Sequence, residues 1–558
     1  MLSSLPATAI CGVGVAYLVL RASCKYLWGV LYEHNLREAT VVRDLPRLAE
    51  TPSTPRGRTC VVIGGSLAGC IAAGAMSKMF DTVVLIDPLI DEEEPKRWRT
   101  QVAQLNQVHG FLPTSVQGLQ LIFPGAFEKA VMRRGGRLLS MSESPMENLF
   151  NHGYVKYDEN LATIIAGKSD SLPMSRWTLQ QVVRELLRDT PSVMMAKGRV
   201  TRFKYREASV CGVLFDDASG VEKSLDCDLV LDCSGPKRAF RKLIAGYPRF
   251  SEPVLTVYNL PMTYSTAIFD IHPSLVDRMP VPDSIKTHTT SWRDLGGVSM
   301  VLPHLTQVGD FHMMYRGEGN KRRFTLGTNM FTSEGGRSYD EVPATIDAYR
   351  RAWKSSHFAQ TGQEKEAWFD ETMDLLEESD RLHEHATPFF KLRETQSYAY
   401  QIDASGDGGK RGLPDNLAIV GDAFAKLNPT FGQGCSKAMA DVATLYTSLL
   451  DHERIADAVC DFDKRRQART MAMFETNMVF DFGFESVQKA NPAHPSSKGQ
   501  LMRWFSKGFL NAIIKTKDPN LGNSFVGVTL GALPPLELMR PSHVALSLFA
   551  RRFWDCSP

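Results

Sequence analysis

The chain lacks the cysteine spacing of a metal site. Its ten cysteines, at 11, 24, 60, 70, 211, 227, 233, 435, 460 and 556, include no CxxC pair and no Cys/His cluster. That excludes the common zinc modules and argues against a disulfide framework. No Asn-x-Ser/Thr sequon occurs with a residue other than proline at its centre, which fits a reducing, unglycosylated compartment. A surplus of one charge is also missing: 64 Lys and Arg face 62 Asp and Glu, so there is no general attraction to nucleic acid. No internal repeat or long low-complexity tract stands out. Long apolar runs are scarce as well. Leu5–Leu20 is a 16-residue run broken only by Thr8 and Tyr17, and at about 1.5 Å per helical residue it falls short of a hydrocarbon core about 30 Å thick. No Lys or Arg precedes it, and Arg21 and Lys25 follow. This is the charge order of an uncleaved membrane anchor with the body facing the cytosol rather than of a cleaved signal. A buried amino-terminal helix is the alternative.

What is present is a globular composition, 43% hydrophobic and 23% charged over 558 residues, long enough for more than one core. Thr59–Ile63 (TCVVI) reads as a buried strand, Gly64–Gly69 (GGSLAG) as a tight turn, Cys70–Phe80 as an alanine-rich helix and Val83–Asp87 (VVLID) as a second strand. In such a βαβ unit the glycine turn lets backbone approach a pyrophosphate, and the helix amino terminus offers amide donors and a positive dipole end. Asp87 stands 23 positions after Gly64, where an acidic side chain accepts hydrogen bonds from an adenosine ribose. Ser66 occupies the place of the second glycine of the GxGxxG fingerprint. Gly64, Ser66, Gly69 and Asp87 are thus candidate dinucleotide contacts. The unit alone does not separate NAD from FAD, which share the adenosine diphosphate moiety.

Three later segments bear on that choice. Leu417–Val420 is a buried strand running into Gly421-Asp422, then Asn428-Pro429-Thr430-Phe431-Gly432-Gln433-Gly434, then a small-residue helix from Cys435 to Leu450. Asp228–Gly235 (DLVLDCSG) is a strand ending in a small-residue turn. Ser175–Arg188 (SRWTLQQVVRELLR) has Ser175 as a helix cap and apolar residues at 179, 182, 183, 186 and 187 on one face,. Together these segments resemble the aromatic-hydroxylase, or squalene-epoxidase-like, superfamily of single-component FAD monooxygenases. The resemblance implies that Asp422 contacts a ribityl hydroxyl, that the Gly432, Gln433 and Gly434 turn lies against the flavin, that Gly235 runs near the pyrophosphate, and that Arg176 lies near the flavin. Val102–Leu112 (VAQLNQVHGFL) is similar to the VPQxxHxH segment of a subgroup; Gln104 and His109 remain, while Ala103 and Gln107 depart from it. His109 reads equally well as structural or functional. No catalytic side chain and no metal site is assigned.

From about 247 to 400, short apolar runs such as LTVYNL, GVSMVL and FHMMY read as strands of an inserted sheet over a substrate cavity,. Beyond 450 the pattern is helical, with Leu501–Ile514 and Val544–Trp554 amphipathic. The expected fold is α/β: a Rossmann-like FAD-binding domain with an inserted mixed β-sheet substrate domain and a helical carboxyl-terminal region. The expected division is an anchor at 1–31, a linker at 32–58, the FAD-binding domain at 59–246 and 401–455, the substrate domain at 247–400 and helices at 456–558. A single glycine fingerprint gives no sign of a permanent second nucleotide domain, and the resemblance implies that NAD(P)H docks transiently. The resemblance implies oxygen transfer to an apolar polyketide, terpenoid or meroterpenoid in a fungal secondary-metabolite setting. None of the eight tryptophans forms the WxWxIP motif of flavin halogenases. A flavin reductase without oxygen transfer and a non-catalytic, membrane-tethered flavin-binding protein stay open.

Overall fold

The structure is a computed structural model that describes residues 7–91, 103–140, 147–150, 153–154, 165, 167–169, 171–286, 289–302, 310–318, 322–332, 337–402, 412–495 and 497–553. The start of the Leu5–Leu20 run, Val102 and Trp554 lie outside the described residues.

Five parallel strands form the first sheet, in the order Leu417–Ile419, Leu229–Asp232, Gly57–Ile63, Phe80–Ile86 and Val193–Ala196. Residues 60–63 pair in register with 83–86 on one side and 229–232 on the other. Both faces of the sheet are covered, which is why its strands read as unbroken apolar runs. Cys60, Val62, Val83, Leu85, Leu229 and Leu231 face a core shared with the helices Leu67–Met76, Arg176–Arg188 and Gly434–Asp451. Val61, Ile63, Val84, Ile86 and Val230 face a second core with Phe203, Val210 and Val213. Those last three belong to an antiparallel sheet of Gly198–Arg206, Ser209–Asp217 and Glu222–Asp226. Its strands are half-exposed and charged, so the sequence reading gave no sign of them.

The third sheet has eight strands and is mixed. Val254–Asp270 pairs antiparallel with Arg323–Phe331 and Phe389–Gln401, while Gly297–Val301 pairs parallel with Glu147–Phe150. Ala425–Lys426 adds an edge from outside the inserted segment. Alternation along its strands sends Ala267, Met314, Phe324 and Leu326 outward against the helices Ile346–Thr361 and Ala367–Leu382, with Trp353 and Phe369 at the centre,. The opposite face carries Phe311, Met313 and Tyr315, packed with Val108, Met300 and Leu302.

Two boundaries differ from the sequence expectation. The first crossover helix is Leu67–Met76, not 70–80, and the second strand already begins at Phe80. Ser77 caps the helix, its hydroxyl donating to the Gly74 carbonyl at 2.8 Å, and the Lys78 ammonium that follows donates to the carbonyls of Leu48 and Leu121, at 2.7 and 3.0 Å. The stretch 32–58, expected as a linker, is built in: the helix Ala7–Ala39 runs through its start, and Leu45 and Leu48 are fully buried. Among the described residues no helix is long and apolar enough to cross a membrane. At the carboxyl end, Phe509, Leu510 and Ile513 of the helix Gln500–Thr516 close a small core with Ala550.

Candidate functional site

Four strands of the parallel sheet end at one edge, and each expected glycine turn begins there. Ile63 runs into Gly64, Ile86 into Asp87, Asp232 into Gly235 and Ile419 into Gly421. The carboxyl edge of an open parallel sheet is where such folds bind ligands.

The turns interlock at close quarters. Gly64 has φ +105°, and a Cβ there would lie 2.6 Å from the Cys233 carbonyl. A Cβ on Gly69 would lie 1.7 Å from the Gly64 carbonyl. Gly421, at φ +67°, abuts the Ala68 side chain. The three motifs are thus one assembly held by backbone contact. Asp232, which the sequence reading did not single out, folds the middle turn. Its buried carboxylate accepts from the Ser234 and Phe240 amides at 2.9 and 2.7 Å, and burial raises its pKa against those bonds.

Asp87 has a role within the protein itself. Its oxygens accept from the amides of Gly65 at 2.8 Å and Leu89 at 2.7 Å, so it ties the second strand to the glycine turn. Each carboxylate oxygen keeps a lone pair for a further donor. Ser66 fits without strain: its φ is −83° and it leaves the helix start uncapped. Its hydroxyl instead donates to Gln180 at 3.1 Å and accepts from Arg176 at 3.0 Å. Arg184, buried on the same helix as Arg176, donates Nε and Nη2 to the Gly65 carbonyl at 3.2 and 2.8 Å. This second cation beneath the turn was missed; its sequence signal was an arginine set between the apolar positions Val183 and Leu187 of that helix.

Arg176 stands at a helix start, where the dipole disfavours a cation. The same helix start also holds an anion, Glu318, just past the strand Phe311–Arg316, whose ion-pair partner is Arg323 at 2.6 Å. It is 2% exposed and accepts from the Ser175 amide at 2.7 Å and from the Ser175 and Thr178 hydroxyls at 2.6 Å. Burial raises its pKa, but Arg323 and these donors outweigh burial and hold it below the usual value. Glu318 thereby fastens the third sheet to the helix bearing Arg176. Arg176 also lies 3.5 Å from Nε2 of His109. Burial and that guanidinium push the His109 pKa down to about 3. The ring is therefore neutral, with Nδ1 donating to the Gln107 carbonyl at 2.8 Å and Nε2 left as an acceptor. Gln107 is pinned to the sheet through Thr266, at 2.9 Å.

The Asn428–Gly434 turn closes the site opposite. Gly432 has φ +66°, and a Cβ there would meet only the Gly110 carbonyl, at 4.0 Å. Gly110, Gly235 and Gly434 have nothing within 4 Å of a Cβ position. The turn hangs from the long helix Ile455–Asp481. Asp481 accepts from Asn428 Nδ2 at 2.7 Å and from the Tyr258 hydroxyl at 2.6 Å, and Asn477 donates to Gln433 at 3.1 Å. Asp422 is half-buried; its backbone carbonyl accepts from the Tyr398 hydroxyl at 2.7 Å.

Gly64, Ser66, Gly69, Asp87, Arg176, Gly235, Asp422, Gly432, Gln433 and Gly434 therefore line one edge. Two helix amino termini, those of Leu67–Met76 and Gly434–Asp451, lack a side-chain cap. Around them the buried donor Nε of Arg176 and the ammonium of Lys437 have no hydrogen-bond partner. Open space over glycine backbone, uncapped amides and unsatisfied cations suit a flat ring joined to an anionic pyrophosphate. Among the described residues no cluster of His, Cys, Asp and Glu could hold a metal ion.

No protein-family model matches the chain. It is 22% identical over 460 residues to Protein Rv3254 of Mycobacterium tuberculosis, a match covering 80% of this chain and 82% of that one. Among solved structures it is similar to a flavoprotein/dehydrogenase from Cytophaga hutchinsonii, with TM-score 0.50 and 14% identity over 89% of this chain and 99% of that chain. It is also similar to CtdE, solved in complex with FAD and a substrate, with TM-score 0.50 and 11% identity over 76% of this chain and 89% of that chain. The α/β fold is shared with both.

Proposed function

We propose that the chain is an FAD-dependent monooxygenase that uses NAD(P)H and oxygen to hydroxylate or epoxidise an apolar small molecule. One observation carries the reading: the turns at Gly64, Gly235, Gly421 and Gly432, far apart in sequence, meet along one sheet edge. The residues fit FAD. The amides after Ser66, with Arg184 behind them, hold the pyrophosphate; Asp87 takes the adenosine ribose and Asp422 the ribityl chain. The Gly432–Gly434 turn and Gly110 leave space for the flavin ring, and the helix Gly434–Asp451 directs its amino terminus at it, which favours negative charge. When bound, FAD supplies the redox chemistry, taking electrons from NAD(P)H and reacting with oxygen. Arg176 and neutral His109 orient the ring side of the site, His109 accepting a proton donor at Nε2.

The sheet face with Phe311, Met313 and Tyr315 supports an apolar substrate and excludes water from the reacting centre. A polyketide, terpenoid or meroterpenoid in natural-product biosynthesis fits that wall. The test measures NAD(P)H oxidation under isotopic oxygen with candidate apolar substrates. Product carrying one labelled atom supports the reading; reduction of FAD with no label in any product favours a reductase, and FAD that NAD(P)H never reduces favours a binding protein.

A second observation favours attachment to a membrane surface with the body on the cytosolic side. The helix Ala7–Ala39 exposes Leu18, Val19, Leu20, Tyr26 and Leu27, each 59–71% accessible, beside Arg21 and Lys25. Flotation with anionic vesicles, before and after removal of residues 1–31, tests it; equal flotation contradicts it.

A further inference from the structure

The helix Gly434–Asp451 carries an unusual residue in its first turn. Lys437 is 1% exposed, and its amide donates to the Gln433 carbonyl at 2.8 Å. Its ammonium lies 3.9 Å from Asp422 Oδ1 and 3.9 Å from Asp441 Oδ2, and it makes no hydrogen bond. A cation here is disfavoured twice, by burial and by the positive end of the helix. Such a residue is expected only where negative charge gathers.

That charge comes from two carboxylates. Asp441 is buried and accepts from the Gly421 amide at 2.8 Å, so it sets the backbone of the turn that presents Asp422. Burial raises its pKa, and Lys437 and then a second cation, Arg466, act against that rise. Asp422 is different. Among the described residues Lys437 is the one cation within ion-pair distance of it. The side chain of Asp422 is 36% exposed and faces the site, whereas Lys437 lies behind it, 1% exposed. A dinucleotide brings further negative charge from its phosphates, and without a neighbouring cation the Asp422 carboxylate would repel it.

We propose that Lys437 is a positioning residue for the cofactor: its buried ammonium holds and neutralises Asp422 so that this carboxylate can sit beside an anionic dinucleotide. The proposal rests on the reading that Asp422 touches FAD. Lys437 acts through Asp422 rather than by contact with the ring, so its effect on cofactor affinity depends on Asp422 being charged. A role confined to packing would instead lower stability without regard to the charge at 422.

The test is a double-mutant cycle on the full chain, with FAD affinity measured by titration of the cofactor-free protein and folding checked by thermal unfolding. Lys437→Met is expected to weaken FAD binding at least tenfold in the wild-type background and less than twofold in an Asp422→Asn background. The midpoint potential of the flavin is expected to become more negative in Lys437→Met, because a cation that favours the reduced, more negative form is lost. Lys437→Gln serves as the second variant, with the same expected pattern. Equal weakening in both backgrounds overturns the proposal, as does unchanged affinity in Lys437→Met. Failure of both 437 variants to fold assigns the lysine a packing role and also overturns it. A wild-type chain that binds no FAD refutes the cofactor reading itself, an outcome separate from normal wild-type binding that Lys437→Met leaves intact.

Discussion

The carboxyl edge of the parallel sheet and the face of the eight-stranded sheet above it are built by different rules. At the edge, backbone meets backbone: Gly69 against the Gly64 carbonyl, Gly64 against the Cys233 carbonyl. On the sheet face, side chain meets backbone: a Cβ on Gly327 would lie 2.4 Å from the Val108 side chain. The first kind of contact has no freedom to adjust. The second meets a single side chain, Val108, whose Cβ lies 2.9 Å away, so it yields by a local shift of that residue. A site held by backbone keeps one shape for a fixed cofactor, and a wall of Met, Phe and Tyr side chains can be remodelled for different substrates.

The same substitution in each region tests that contrast and gives the largest expected effect. Gly69→Ala should destabilise by more than about 4 kcal/mol, seen as loss of folded protein and bound flavin together. Gly327→Ala should cost only about 1–2 kcal/mol in chemical denaturation. Comparable losses would break the distinction.

The helix that suspends the Asn428–Gly434 turn gives the next effect. Burial pushes the Asp481 carboxyl up to about 7 from a usual 3.8, against the hydrogen bonds from Tyr258 and Asn428. The unfolded chain releases this proton at lower pH than the folded one. Stability from this group is therefore full below pH 3.8 and lost as pH rises to about 7, a change of about 4 kcal/mol. Asp481→Asn should flatten that part of the stability profile measured by denaturation at each pH. An unchanged slope would remove Asp481 as its cause.

Asp422→Ala sharpens the comparison from the cofactor side. It should weaken FAD about tenfold to a hundredfold, the loss of one hydrogen bond to a charged group. The cofactor-free protein should stay folded but melt a few degrees lower, because the buried Lys437 ammonium keeps only one of its two carboxylates,. Normal FAD content would refute its ribityl role. The smallest effect is expected at Ser66. Ser66→Ala removes the contacts with Arg176 and Gln180 and should cost about 1 kcal/mol; no loss would show that the hydroxyl only fills space.

The same contrast explains what could be read in advance. Gly64, Gly235, Gly421 and Gly432 were legible because a turn at a strand end imposes a local backbone demand that few residues meet. Two buried faces gave the parallel strands continuous apolar runs, so TCVVI and VVLID declared themselves. The sheet of residues 198–226 did not, since its strands are half-exposed and alternate with charge. Glu318 and Asp481 were hidden for a different reason. Each acts across a long stretch of chain, Glu318 on Ser175 and Asp481 on Asn428, and no local pattern marks such a pairing. Arg176 was legible as an oddity at a helix start, whereas the carboxylate of Glu318 that accepts from the same helix start was not. Lys437 lay inside the expected flavin motif, where only its burial gives it meaning.

The central claim is that the glycine-lined edge of the parallel sheet holds FAD. The most direct measurement purifies the full chain, denatures it, and identifies and counts what is released. One FAD per folded chain, falling sharply in Asp422→Ala, is the predicted result. A well-folded chain that releases no flavin, and that takes up none when FAD is added, would contradict the account.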